Sequence, residues 1–165
     1  MPKVAIIMGS DSDFPVLKAT IKRLKSFGIE TQVHVLSAHR TPDEAAAFAR
    51  NAEQAGVEVI IAAAGMAAHL AGVLAANTPL PVIGIPMKSS QLDGMDALLS
   101  TVMMPPGVPV ATVGINGADN AALLALQMLS IKYADIRAAI KEQKLEMARK
   151  VSEKDAAIQA ELADI

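Results

Sequence analysis

The chain has 165 residues, a formal net charge of -2, 52% apolar side chains and no cysteine. That length suits one domain with a real core; the charge gives no electrostatic case for nucleic acid, and Phe14, Phe27, Phe48 and Tyr133 are too few aromatics for base stacking. Without cysteine there is no disulfide, thiolate nucleophile or thiolate metal site, and the apolar start at Met1–Met8 is too short for a signal peptide, so a cytoplasmic protein is expected.

Taken in order, Lys3–Met8 reads as a buried strand, 9–13 as a polar turn, and Phe14–Phe27 as a helix closed by Gly28. Ile29–Leu36 is a second strand, with Val33 and Val35 alternating with polar neighbours. Thr41, Pro42 and Glu44 predict a capping box with proline at the first helical position, and the helix runs to about Ala55 before Gly56. Val57–Ala63 is a third strand and Met66–Ala76 a helix.

The span from Val59 to Ala76 is nearly all apolar and close to the lower limit for a membrane helix. Its β-branched first half, the break at Gly65 and the missing basic flanks instead indicate strand, turn and helix, so no membrane is expected. Pro81–Ile85 is a fourth strand, Gly94–Met103 a helix, Val108–Val113 a fifth strand and Ala118–Ile131 a helix. Five apolar strands alternating with helices indicate a parallel sheet covered on both faces: a three-layer α/β/α sandwich, flavodoxin-like, over residues 1–131. Residues 132–165 form a charged helical extension whose broken apolar stripe (Ile136, Ile140, Leu145, Val151, Ile158, Leu162) is expected to pack on a neighbouring subunit.

In such a sandwich, ligands bind beyond the carboxyl ends of the strands near the switch in strand order, so the loops 9–13, 37–42 and 64–69 should converge. They carry the hydroxyls of Ser10, Ser12 and Ser37, the carboxylate of Asp13, the guanidinium of Arg40 and, at Gly65, room for close backbone approach. This set suits a phosphorylated sugar: Arg40 and a serine at a helix start for phosphate, Asp13 for ribose hydroxyls, and His39 for proton transfer near neutrality. Each has a plainer reading. Asp13 and Ser12 could simply cap the first helix, and His69 could be a satisfied core histidine. His34, inside a strand, receives no role. The spacing of the three histidines fits no metal site, and Gly9-Ser10-Asp11 is neither a Walker loop nor a dinucleotide fingerprint.

Four separated motifs, Met8-Gly9-Ser10-Asp11-Ser12-Asp13, Ser37-Ala38-His39-Arg40-Thr41-Pro42, Ala67-Ala68-His69-Leu70 and Met104-Pro105-x-Gly107-Val108-Pro109-Val110-Ala111-Thr112, together resemble class I N5-carboxyaminoimidazole ribonucleotide mutases of purine biosynthesis. The resemblance implies a cofactor-free, metal-free transfer of a carboxylate from the exocyclic nitrogen of an aminoimidazole ribonucleotide to ring carbon C4. It implies His39 as general acid/base and Ser10, Ser12, Asp13 and Arg40 as substrate-binding residues; Ser37, Gly65 and His69 are expected to join them around the substrate. It also implies a homo-octamer with swapped C-terminal helices. The chain departs from the family at Ala63, Met66 and Ala71, where Gly, Gly and Pro are usual. Two rivals stand beside it: a carboxylase acting on the uncarboxylated nucleotide with free CO2, and a non-catalytic nucleotide-binding module.

Overall fold

The computed structural model describes residues 1–163. Five parallel strands, β1 (Lys3–Met8), β2 (Glu30–Val35), β3 (Val57–Gly65), β4 (Val82–Met87) and β5 (Ala111–Thr112), form one sheet in the order β2-β1-β3-β4-β5. This is the flavodoxin-like order, with its switch between β1 and β3. The helices are α1 (Phe14–Ser26), α2 (Pro42–Asn51), α3 (Leu70–Ala75), α4 (Met95–Val102), α5 (Ala118–Leu129) and α6 (Ala134–Leu162).

β1, β3 and β4 are apolar at successive positions because both their faces are covered, whereas the edge strand β2 is largely polar and not buried. Along β1, Val4, Ile6 and Met8 enter the core under α1 and α5, while Ala5 and Ile7 enter the one under α2 and α3. Val59, Ile61 and Ala63 of β3 join the first set, and Ile60, Ala62 and Ala64 the second. On that second face Ala5, Ala62 and Ala64 of the sheet cluster with Ala45 and Ala49 of α2 and Ala71 of α3, beside the larger Ile7 and Ile60. Alternate side chains on opposite faces are what a period of two requires.

The element limits differ from the sequence reading where backbone chemistry intervenes. The fourth strand runs on through Pro86 rather than ending at Ile85: the Pro86 carbonyl accepts from the Asn116 N–H (2.9 Å), so its hydrogen-less nitrogen faces a side where β5 has already ended. β5 itself keeps only Ala111 and Thr112, because Pro109 has no N–H to donate. The third helix begins at Leu70, not Met66, because Met66 is left-handed at φ 52°.

Thr41 occupies the N-cap of α2 but makes no capping-box bond; its Oγ1 accepts from the Ser37 N–H (2.9 Å) and pins the loop instead. α6 is docked at its start by buried Ile136 and by Glu58, which accepts from Tyr133 Oη (2.7 Å) and Lys132 Nζ (3.0 Å). Burial pushes the Glu58 carboxyl up, but those two hydrogen bonds outweigh it and hold the group below its ordinary value. Beyond that anchor α6 extends as a helix about 44 Å long overall. At 100° per residue Ile136, Ile140, Met147, Val151, Ile158 and Leu162 share one side, within about a quarter turn, and Leu145 lies about half a turn away. Met147 therefore replaces Leu145 in the stripe. The last two residues of the expected extension lie outside the described residues.

Candidate active site

The sheet order brings the loops after β2, β1, β3 and β4 side by side at the carboxyl edge. They enclose a cavity of about 590 Å³ lined by Ser10, Ser12 and Asp13 from the first loop and by Ser37, His39 and Arg40 from the second. Ala64, Gly65, Met66 and Ala68 line it from the third, and Lys88, Ser89 and Ser90 from the fourth. The expected convergence of the loops 9–13, 37–42 and 64–69 is therefore present.

Each loop is held by its own side chains. Ser10 caps a single 3₁₀ turn at Asp11–Asp13, accepting from the Ser12 N–H (3.3 Å), and the Ser12 hydroxyl donates to Ser10 Oγ (2.8 Å). Asp13 sits at the N-cap of α1 without a side-chain capping bond, so its carboxylate remains available to the cavity. Burial pushes its carboxyl above the ordinary value; a backbone hydrogen bond from Ser10 pulls the other way, and the charge of Asp11 adds to the rise.

In the second loop Ser37 Oγ accepts from the backbone N–H groups of Arg40 (3.1 Å) and His39 (3.4 Å), which fixes the tip but occupies donors an anion would otherwise use. Arg40 Nη2 donates to the Gly9 carbonyl (2.9 Å), clamping the β2 loop to the β1 loop. Its other guanidinium N–H groups are left for a ligand. His39 presents an exposed ring at the wall of the same cavity. Hydroxyls, a fork of N–H donors, a carboxylate, an imidazole and an alanine-rich third loop thus line one cavity, a donor set chemically able to hold a phosphorylated, hydroxylated molecule.

His69 stands apart from this group. Ala68 and Leu70 line the cavity but His69 does not; its ring lies over Gly72, where a Cβ would collide with it, and its buried Nδ1 has no hydrogen-bond partner. It is neither on the cavity wall nor a satisfied core histidine. His34 lies on the far side of β2, with Nε2 2.9 Å from Gln32 Nε2 and its ring against Phe48, in a shallow apolar hollow of about 450 Å³. Ser10, Ser12, Ser37 and Arg40 do not line that hollow. Lys88, Ser89 and Ser90 were not singled out from the sequence, although they follow β4 as the other loops follow their strands. Lys88 Nζ pairs with Asp93 (3.1 Å), and Ser89 Oγ donates to Asp96 (3.4 Å). Among the described residues no cluster of histidine, cysteine, aspartate or glutamate could hold a metal ion.

Known proteins resemble the chain over most of its length. A family model described as AIR carboxylase matches residues 3–150. The N5-carboxyaminoimidazole ribonucleotide mutase of Pyrococcus abyssi is 60% identical over 149 residues, covering 90% of this chain and 86% of the relative. The phosphoribosylaminoimidazole carboxylase of Saccharomyces cerevisiae is 59% identical over 128 residues, which are 78% of this chain but 22% of that protein. The crystal structure of Treponema denticola PurE superposes with a TM-score of 0.86 at 30% identity, covering 94% of this chain and 98% of that one. The chain belongs to the AIR carboxylase family.

Proposed function

We propose that the cavity binds an aminoimidazole ribonucleotide through Ser10, Ser12, Asp13, Ser37, Arg40 and Gly65, and that His39 moves the protons. The activity is that of an N5-carboxyaminoimidazole ribonucleotide mutase, an isomerase of purine biosynthesis, as in the relative from P. abyssi. The observation that carries the residue assignment is that Ser10, Ser12, Asp13, His39 and Arg40, from two loops, line one cavity with the alanine-rich third loop.

The chemistry follows from the groups available. The N–CO2 bond of the carbamate breaks, its electron pair returns to nitrogen, and His39 supplies the proton that makes the free amine. The amine pushes electron density through the ring to C4, which attacks the CO2 just released. His39 then takes the proton from C4 and restores the aromatic ring, so it ends as it began. The bond changes balance without an oxidant, reductant or cofactor. Arg40 and the serine pair hold the phosphate, and Asp13 accepts from the ribose hydroxyls, which fixes the imidazole where His39 can serve both atoms.

A homo-octamer in the cytoplasm is the expected form. Exposed Met95, Leu99, Val102 and Met103 on and after α4, and Met147, Val151, Ile158 and Leu162 on α6, support burial against other copies. Among the described residues no helix is long and apolar enough to cross a membrane. The carboxylase alternative draws on the description of the family model and on the name of the yeast relative, of which the match spans 22%.

His39→Asn tests the assignment. Turnover of the carbamate nucleotide should fall by about two or more orders of magnitude while nucleotide binding by calorimetry stays near wild type. A near wild-type rate would remove His39 from the mechanism.

A further inference from the structure

Met66 holds a conformation its side chain disfavours. Among the described residues the non-glycine positions with positive φ are Met66 (52°), Asp93 (54°) and Asn116 (55°). Asp and Asn tolerate the left-handed region through local hydrogen bonds, whereas a long thioether gains nothing there. The fold forces the turn: Gly65 is the last β3 residue, in register with Met87 of β4, and the Ala68 N–H donates to the Gly65 carbonyl (3.4 Å), closing a bend over Met66 and Ala67. Glycine would take this φ without strain. The chain carries instead an apolar side chain that is 60% exposed and lines the substrate cavity. Ala64, Ala68 and Leu70 continue the same apolar wall. Strain kept at a cavity mouth points to a use for the side chain that strains it.

We propose that Met66 retains the released CO2: its flexible side chain covers the reacting imidazole and separates the intermediate from bulk water and bicarbonate. The inference rests on the mutase reading, in which the N–C bond breaks before the bond to C4 forms. Between those events CO2 is neutral, small and bound by nothing covalent. An apolar cover both slows its escape and withholds the water that would hydrate it. Met66 touches neither transferred proton; it sets how much of the released CO2 returns to the ring.

The test is a single turnover of carboxyl-¹³C carbamate nucleotide in unlabelled bicarbonate, with the label in the product read by mass spectrometry. Wild type should keep most of its label, and Met66→Leu should match it. Met66→Ala and Met66→Gly should give a several-fold larger unlabelled fraction. Met66→Gly should also melt higher, by roughly 2–4 °C, because the backbone strain is relieved, whereas Met66→Ala should not. Label retention in both small variants equal to wild type overturns the role of Met66 and leaves the mutase reading standing. Wild-type product that takes its carboxylate mainly from bicarbonate overturns the mutase reading, and this inference with it.

Discussion

Gly84→Ala, in the middle of β4, should destabilise the protein although alanine is the better strand residue. Gly84 lies where α4 presses on the sheet: an added Cβ would come closer than 3.0 Å to Thr101 Cγ2, 3.2 Å from Val110 Cγ1 and 3.3 Å from Ala71 Cβ. Thr101 cannot swing aside freely, since it is 6% exposed and its Oγ1 donates to the Ala97 carbonyl (2.7 Å). Replacing glycine by alanine inside a strand normally gains about 0.5–1 kcal/mol, but overpacking costs about 1–3 kcal/mol. The net loss should be about 1–2 kcal/mol, or roughly 2–8 °C in melting temperature for a chain of this size.

Thr101→Ser removes the offending methyl and keeps the hydroxyl, so by itself it should lose only about 1 kcal/mol. The double variant should be no less stable than Thr101→Ser alone, which makes the coupling between the two sites about 1–2 kcal/mol. Calorimetric melting at one fixed protein concentration measures all four proteins, because the proposed assembly would make the midpoint concentration-dependent. A Gly84→Ala protein that melts at or above wild type, or strict additivity in the cycle, would refute the packing argument. The position also matters for the site, since β4 leads directly into Lys88, Ser89 and Ser90.

Three further outcomes follow from the site and the tail. The Asp13 carboxyl is raised chiefly by burial, so the fold favours its neutral form, and above the raised value the ionised group opposes folding. Asp13→Asn should therefore raise the melting temperature at neutral pH, an advantage that vanishes below the unfolded value near pH ~3.9. The same change should weaken nucleotide binding about ten- to a hundredfold through loss of a charged hydrogen-bond acceptor; unchanged affinity would take Asp13 out of the site. Ending the chain after Tyr133 should dissociate or destabilise the assembly, because the stripe of Ile136, Ile140, Met147, Val151, Ile158 and Leu162 is lost. Light scattering that finds a stable full-length monomer would contradict this.

The layers and strand order were legible because the signals are local and redundant: β1 and β3 are apolar at nearly every position, and Gly28 and Gly56, both at positive φ, stop the turns after α1 and α2. The three loops could be grouped because position after a parallel strand defines the binding edge. The same rule applied to β4 points to Lys88, Ser89 and Ser90; the sequence hides them because Pro86 reads as a break after a strand that ends at Ile85. His69, which does not line the cavity, is a different case. Its neighbours Ala68 and Leu70 reach the cavity, but one residue's change of direction at a helix start cannot be read from a motif. Met66 breaks its helix through a positive φ, which no propensity for methionine foretells. Met147 takes the place of Leu145 in the tail stripe because, at 100° per residue along one continuous helix from Ile136, Leu145 falls half a turn away.

The most direct measurement compares two substrates in one assay. Carbamate nucleotide in bicarbonate-free buffer, followed by product absorbance with and without a chelator, should turn over at the full rate in both cases, whereas the uncarboxylated nucleotide should react only at high bicarbonate. If the uncarboxylated nucleotide with modest bicarbonate proves much the better substrate, the enzyme is a carboxylase, and the mutase assignment fails while the fold and the His39 cavity remain.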